Sequence, residues 1–265
     1  MLKHVDTVSV FGFPVSRLGM KETTGYLAEA AESGETVQVV TINPVMIMEA
    51  LHNPAYGEAL RKGDLIVPDG AGVVWAAKRL GRPVAERVAG FDLLHALMAE
   101  ADRRGWRVYL LGAEPEVVAR AAERLARSYP GAVLAGYRDG YFDDSEDGEI
   151  VREIARVRPH LLFVARSAAR QDPWIARHRD KLGAAILMGV GGSFDVIAGK
   201  LKRAPQSWQR LGLEWLYRLL QEPWRFKRMT ALPRFALRVL LMRGRDGGGR
   251  AGTEAGADGT KRGRA

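Results

Sequence analysis

The strongest constraint on the fold is the alternation of short, continuously apolar segments with longer segments of helical character. Short apolar segments cover 37–41, 64–67, 107–111, 132–135, 161–165 and 184–190. Helical patterns fill 44–61, 71–80, 91–104, 115–129, 146–157 and 172–182. Strands that are apolar on both faces and separated by helices are typical of a parallel sheet covered on both sides. With right-handed crossovers, the sequence predicts an α/β fold, a Rossmann-like, mostly parallel sheet sandwiched by helices.

Charge divides the chain into three parts. Residues 1–199 hold 24 Lys/Arg and 26 Asp/Glu, whereas residues 200–243 hold 11 Lys/Arg and 2 Asp/Glu. Residues 244–265 are rich in glycine and almost devoid of large apolar side chains, so they cannot offset the entropy of ordering. The sequence therefore predicts a catalytic body over 1–199, a basic helical appendage over 200–243 and a disordered tail over 244–265.

The composition excludes some kinds of site and indicates where in the cell the protein is expected. There is no cysteine, which excludes disulfides and thiolate metal sites, and no apolar run approaches the roughly 20 residues that span a bilayer. No signal-peptide core follows Met1. We expect a cytoplasmic protein whose basic appendage meets an anionic partner, such as phospholipid headgroups or a pyrophosphate. A solvated basic helix is the plainer alternative. The body has no nucleic-acid-binding pattern, so we expect no nucleic acid partner.

Ligands of such sheets bind at the carboxyl ends of the strands, which directs attention to the residues there. Asp69 follows a buried strand and stands among glycines, where a carboxylate could act as a general base or could cap the next helix. Thr41 and Asn43 end another strand and could bind a substrate hydroxyl or phosphate. For Asn43, capping of the helix that begins at Pro44 is the alternative.

Two further strand-end segments suit a diphosphate. Arg87 could pair with phosphate, or with Glu86 or Asp92. Gly191, Gly192 and Ser193 connect a strand to a helix, and their backbone N–H groups could bind an anion. The dinucleotide fingerprint would need a glycine at Phe194, and the five histidines are scattered. The sequence therefore predicts no metal and no cofactor.

Taken together, the motifs form an ordered set. They are TINP at 41–44, PDGAG at 68–72, ERVAGFD at 86–92, GAEP at 112–115, GVGGSFD at 189–195, RAP at 203–205 and GLEWLYRLLQEPWR at 212–225. This set resembles the TagA/WecG/CpsF family of glycosyltransferases, also called glycosyltransferase family 26, over roughly residues 8–238.

The resemblance implies an activity and a set of site residues. Members invert the anomeric centre as they transfer N-acetylmannosamine or a related sugar from UDP to undecaprenyl-diphosphate-linked N-acetylglucosamine, without a metal. The products serve cell-surface polysaccharide or teichoic acid synthesis. Asp69 is the implied general base, and the appendage docks peripherally on the inner face of the plasma membrane and closes over the site. The implied substrate-binding residues are Thr41, Asn43, Arg87, Gln171, Arg218, Arg225 and Arg228.

One motif departs from the family pattern. The usual stretch resembles LGxPKQExW, but residues 166–174 read RSAARQDPW, so Gln171 and Trp174 are kept while Ser167 and Ala169 replace glycine and proline. The loop is expected to differ in shape, which leaves the donor sugar open. A non-catalytic, membrane-associated partner in a polysaccharide assembly complex is the alternative function. Homo-oligomerisation is also left open.

The appendage carries its own pattern. A helix is predicted over 205–221, with Trp208, Leu211, Trp215 and Leu219 forming one apolar stripe that packs on the body. The aromatic and cationic residues from Trp224 onward, including 235–243, are expected to lie in a membrane interface instead of packing on the body.

Overall fold

A computed structural model describes residues 4–242 and confirms the α/β class. Within these residues, eight strands form one sheet in the order β1-β2-β4-β3-β8-β7-β5-β6, in which the β1–β2 pair is antiparallel and the other pairs are parallel. The strands are β1 (Thr7–Val10), β2 (Phe13–Ser16), β3 (Val37–Ile42), β4 (Leu65–Pro68), β5 (Arg107–Gly112), β6 (Val133–Arg138), β7 (Leu161–Ala165) and β8 (Ile186–Gly189).

Helices cover both faces of this sheet. They are α1 (Met20–Ser33), α2 (Pro44–His52), α3 (Pro54–Arg61), α4 (Ala71–Arg79), α5 (Gly90–Arg104), α6 (Pro115–Ser128), α7 (Asp147–Val157), α8 (Ala168–His178) and α9 (Ser193–Ile197), followed by α10 (Gln206–Arg210), α11 (Glu214–Gln221), α12 (Phe226–Met229) and α13 (Ala231–Leu241). The core on one face is built with α1, α5, α6 and α9, and the cores on the other face with α2, α3, α4, α7, α8 and α13. The predicted two-sided burial is confirmed for β3, β4, β7 and β8 and for β5 beyond Arg107, whereas the edge strand β6 has no buried residue.

The N-terminal hairpin was not anticipated from the sequence. Phe11 and Gly12 connect β1 to β2 with φ angles of 53° and 80°, as a two-residue hairpin turn of the primed type requires. Val8 and Val10 are buried, and β2 continues the sheet by pairing in parallel with β4. The period-two alternation on both sides of Phe11-Gly12 was the signal that could have predicted this hairpin.

Two predicted helices are each broken into two. The 44–61 segment divides at Asn53, whose side-chain oxygen accepts the Tyr56 N–H and caps α3. The prediction of a continuous helix over 205–221 is wrong, since the chain turns at Gly212 with φ +70° between α10 and α11. A Cβ at Gly212 would stand 2.9 Å from the Ala71 Cβ, so this turn lies directly against the start of α4.

The broken helix also changes the predicted apolar stripe. Leu211 and Trp215 are exposed, because the turn at Gly212 rotates them away from a common face. The prediction that residues after Trp224 stay off the body is likewise wrong for α13. Phe235 and Val239 are buried in the core that also contains residues of α2 and α4. The predicted tail over 244–265 lies outside the described residues.

Between residues 4 and 242, no helix is both long and apolar enough to cross a bilayer.

Candidate active site

The carboxyl ends of three adjacent strands, β4, β3 and β8, converge beneath the appendage. Asp69 follows β4, Asn43 follows β3, and Gly191 lies just beyond β8. The appendage reaches the ends of β4 and β8: Gly212 meets Ala71, Phe235 lies 3.7 Å from a Cβ built on Gly72, and the Arg218 guanidinium lies against Gly192. Body and appendage therefore line one candidate site.

Asp69 is fixed by the backbone on both sides. Its N–H donates to the Ile42 carbonyl at 2.8 Å, and the preceding Pro68 carbonyl accepts the Val88 N–H at 2.9 Å. Its carboxylate accepts the Gly90 N–H. The helix cap of α4 is Gly70, which has φ +109° and provides no side-chain hydrogen bond, so the capping alternative for Asp69 is wrong.

The surroundings of Asp69 make its carboxylate more basic. Burial raises the pKa of this carboxyl to about 6, against the lowering effects of the Arg87 guanidinium and the Gly90 N–H. Glu214 and Asp92 add smaller raising effects through their charges. A carboxylate with a pKa just below neutrality is ionised in the cell and still able to accept a proton, as a general base must.

Asn43 and Thr41 shape this part of the site. The Asn43 Oδ1 accepts the Val45 and Met46 N–H groups at 3.0 and 3.1 Å, so the capping alternative is confirmed for this residue. The Asn43 NH₂ group makes no hydrogen bond with residues 4–242 and can still donate. The Thr41 side chain packs against Gly90, where an added Cβ would stand 3.2 Å from Oγ1.

Arg87 takes neither of the partners considered from its local sequence. Glu86 accepts the Met20 N–H at 2.6 Å, and Asp92 pairs with Arg203 at 2.6 Å. Arg87 instead forms a salt bridge with Glu214 at the start of α11. Glu214 is thus a site residue that sequence reasoning missed, because its partner is distant in the chain and no local pattern marks it.

The appendage brings arginines toward the same strand ends. The Arg218 and Arg225 Nε atoms both lie 2.7 Å from the Oε2 of Glu222, a carboxylate that is itself nearly buried. The Arg218 Nη2 is buried without a hydrogen-bond partner among the described residues. Arg228 is exposed on α12, near enough to influence Tyr56 and Arg225 electrostatically.

The glycine loop after β8 is more fully hydrogen-bonded than expected. The Gly191 N–H donates to the Gln171 Oε1 at 2.9 Å. The Ser193 N–H and Oγ both donate to the Val190 carbonyl, at 3.1 and 2.7 Å. Within residues 4–242, the Gly192 N–H is the one of the three proposed donors without a protein acceptor, and the Arg218 guanidinium lies against this glycine.

Gln171 differs most from its expected role. Its side chain is only 4% exposed and points into the glycine loop, with both polar atoms engaged by protein groups. Within residues 4–242, no group of three or more His, Asp or Glu side chains is arranged to hold a metal ion.

Comparison with known proteins gives consistent matches. The sequence profile of the "Glycosyl transferase WecG/TagA/CpsF family" matches residues 8–247. A Bacillus spizizenii protein named N-acetylglucosaminyldiphosphoundecaprenol N-acetyl-beta-D-mannosaminyltransferase is 42% identical over 76% of this chain and 78% of its own length. A Staphylococcus aureus protein of the same name is 36% identical over 79% of this chain and 82% of its own length.

Proposed function

Because the chain belongs to the WecG/TagA/CpsF family of glycosyl transferases, we propose that it transfers N-acetylmannosamine or a closely related sugar to undecaprenyl-diphosphate-linked N-acetylglucosamine. The acceptor and the sugar are those in the names of the Bacillus and Staphylococcus relatives. We propose a UDP-sugar as the donor and inversion at the anomeric carbon. The product would enter cell-surface polysaccharide synthesis.

The observation that carries this proposal is Asp69 at the carboxyl end of β4, with its raised pKa and with Arg87 beside it. In the proposed reaction, Asp69 takes the proton of an acceptor hydroxyl as that oxygen attacks the anomeric carbon. The bond from the anomeric carbon to the diphosphate oxygen breaks at the same time, and its electron pair leaves with UDP. Such transition states resemble an oxocarbenium ion, with negative charge growing on the leaving group.

Arginines supply the stabilisation that the leaving diphosphate needs. Arg87 comes from the body, whereas Arg218 and Arg225 come from the appendage. Each of the three pairs with a carboxylate, either Glu214 or Glu222, so a diphosphate would compete with these carboxylates for the guanidinium groups. Preorganised cations that face developing charge supply large rate effects, and we propose that they replace a metal here.

Association with a membrane surface follows from the same proposal. The acceptor is lipid-linked, and the appendage exposes Trp224 and Phe226 beside Lys227 and Arg228. Aromatic rings insert at the headgroup boundary while cations pair with lipid phosphates. We therefore propose peripheral binding to the inner face of the plasma membrane.

A direct assay tests the proposed function. Purified protein is incubated with a panel of UDP-sugars and a short-chain lipid-diphosphate N-acetylglucosamine acceptor, and products are identified by mass. We expect one disaccharide product, strongest with UDP-N-acetylmannosamine, and unchanged in EDTA. Loss of product in EDTA with recovery in Mg²⁺ would contradict the metal-independent mechanism. No product with any donor would favour the non-catalytic alternative.

A further inference from the structure

We propose that Gln171 and Asp172 act together as positioning residues. They set the conformation of the glycine loop after β8 and thereby the position of the Arg218 guanidinium that lies against it. This inference rests on the proposed function, because the loop bounds the site where the diphosphate would bind. It assigns Gln171 a role behind the loop and not in contact with substrate, and it adds Asp172 to the site.

The two side chains form a buried chain of hydrogen bonds. Gln171 and Asp172 lie in the first turns of α8 and are 4% and 1% exposed. The Gln171 Nε2 donates to the Asp172 Oδ2 at 3.4 Å, and the Gln171 Oε1 accepts the Gly191 N–H at 2.9 Å. Asp172 thus fixes which end of the amide faces the loop, and the amide in turn holds Gly191.

The glycines of the loop are adapted to this arrangement. A Cβ added to Gly189 would collide with the Gln171 amide and stand 3.0 Å from the Asp172 Oδ1. Gly191 has φ +50°, a backbone conformation that residues other than glycine rarely adopt. A Cβ on Gly192 would collide with the Arg218 guanidinium. A shift of the Gly191–Gly192 peptide therefore moves the surface on which Arg218 rests.

Burial of the Asp172 carboxylate is energetically unfavourable, so packing alone does not account for this residue. A buried carboxylate that is not fully compensated by hydrogen bonds or by opposite charge costs stability, and carboxylates of this kind cluster at functional sites. Gln38 of β3 lies next to this residue, and its Nε2 donates to the backbone carbonyl of Asp172 at 3.3 Å. Asp172 also affects Tyr56 of α3, whose pKa is raised first by burial and then by the Asp172 charge. Burial raises the pKa of Asp172 itself to about 7.

Loss of the Asp172 acceptor would free the amide to rotate. An inverted amide would present its NH₂ to the Gly191 N–H, placing two donors together and breaking the loop's anchor. Arg218 would then lose its fixed surface, and charge developing on the diphosphate would be less well stabilised. Because this charge is greatest in the transition state, the change is expected in kcat more than in KM.

A double-mutant cycle tests whether the two residues act as one unit. We compare Gln171→Met, Asp172→Ala and the double variant for kcat, KM and thermal unfolding. Each single variant is expected to lose about tenfold or more in kcat, the scale of one buried hydrogen bond. The kcat of the double variant is expected to be no lower than that of the less active single variant, since both substitutions break the same chain of hydrogen bonds. Asp172→Asn keeps an acceptor oxygen and is expected to stay within about threefold of the parent enzyme.

A second measurement does not depend on transferase activity. Hydrogen exchange of the 189–193 amides, measured without substrates, is expected to become faster in Gln171→Met and Asp172→Ala. Asp102→Ala is the matched control, because the Asp102 carboxylate accepts the Gly131 N–H at 2.6 Å far from this loop. This control is expected to change neither kcat nor exchange at 189–193.

The outcomes separate the two proposals. Additive losses in the cycle, or unchanged exchange at 189–193 in both single variants, would overturn the positioning role. If the parent protein makes no product, the proposed function fails, and the exchange measurement alone decides whether Gln171 and Asp172 hold the loop. If the variants merely unfold, exchange will rise throughout the chain and not at 189–193 alone, which would also overturn the inference.

Discussion

At the residue scale, Asp69 combines a position that is costly for a charge with the contacts that a reactive carboxylate needs. Burial raises its pKa to about 6, while Arg87 and the Gly90 N–H limit that rise. A more basic carboxylate takes up a proton more readily, and one with a pKa below 7 remains ionised at cellular pH. The same surroundings therefore affect both the proposed catalysis and the stability of the fold.

We expect Asp69→Asn to lower kcat by about 10²–10⁴-fold, the usual contribution of a general base. The amide has nearly the same shape but cannot accept a proton, so binding of the donor should change little. Donor titration by calorimetry and steady-state assay of the same sample measure the two effects. A variant that keeps more than about half of the parent kcat would show that the base lies elsewhere.

The raised pKa also predicts how Asp69 affects stability with pH. Because the folded state holds this proton more tightly than the unfolded chain, the contribution of Asp69 to stability is greatest below its ordinary pKa of 3.8 and falls as pH rises through about 6. Asp69→Asn should therefore be more stable than the parent above pH 6, by about 1–3 kcal/mol. Denaturant unfolding at pH 4 and pH 8 measures this difference. An equal difference at both pH values would contradict the raised pKa.

At the element scale, the appendage is part of the fold and not a detachable arm. Helix α13 places Phe235 and Val239 in the same core as Met46, Ile47 and Val73. Its opposite side leaves Leu237, Leu240 and Leu241 exposed. One face of α13 thus stabilises the body, and the other is free for a second surface.

We expect Phe235→Ala to destabilise the whole protein by about 3–5 kcal/mol, as is usual for loss of a buried phenylalanine. The ring is 2% exposed and lies 5.4 Å from the Phe11 ring of the N-terminal hairpin, centroid to centroid. Leu237→Ala, on the exposed side of the same helix, is the matched control and should change stability by less than about 0.5 kcal/mol. Equal effects of the two substitutions would show that α13 does not pack as described.

The elements show how far sequence reasoning reaches. Continuous apolar strands and their intervening helices were predictable, because burial on both faces leaves a strong pattern. The breaks at Asn53 and Gly212 were missed, since the apolar period continues across them and only the cap residue Asn53 and the turn residue Gly212 mark the boundaries. Among the candidate site residues, the place of Asp69 at a strand end could be predicted, whereas the Arg87–Glu214 pair depends on how the appendage returns to the body.

At the scale of the whole molecule, charge and exposed apolar surface coincide on the appendage. Residues 200–243 hold 11 Lys/Arg against 2 Asp/Glu, and the two acids, Glu214 and Glu222, are turned toward site arginines. Lys227, Arg228, Arg234 and Arg238 are exposed beside the exposed apolar residues Trp224, Phe226, Leu237, Leu240 and Leu241. Such a surface suits an anionic membrane better than water.

We expect the Trp224→Ser/Phe226→Ser double variant to lose binding to anionic vesicles without losing stability in solution. The two rings are 73% and 65% exposed, so their removal opens no core cavity. On a membrane, the same substitutions remove the apolar contact between these rings and the lipid. Cosedimentation with vesicles containing anionic lipid, at low and high salt, measures binding, and each nearby cation contributes about 1 kcal/mol. Binding of the parent protein should therefore fall as salt rises.

Tyr141→Ser provides the matched control for that experiment, because Tyr141 is 72% exposed but lies between β6 and α7, on the body. It should cosediment like the parent protein at every salt concentration. Activity separates two roles of the appendage: the double variant should lose turnover on a lipid-linked acceptor in vesicles but keep it on a water-soluble, short-chain acceptor. This follows because Arg218 and Arg225 stay in place while only the membrane contact is lost. Equal loss on both acceptors would show that Trp224 and Phe226 serve the site itself and not its approach to the membrane.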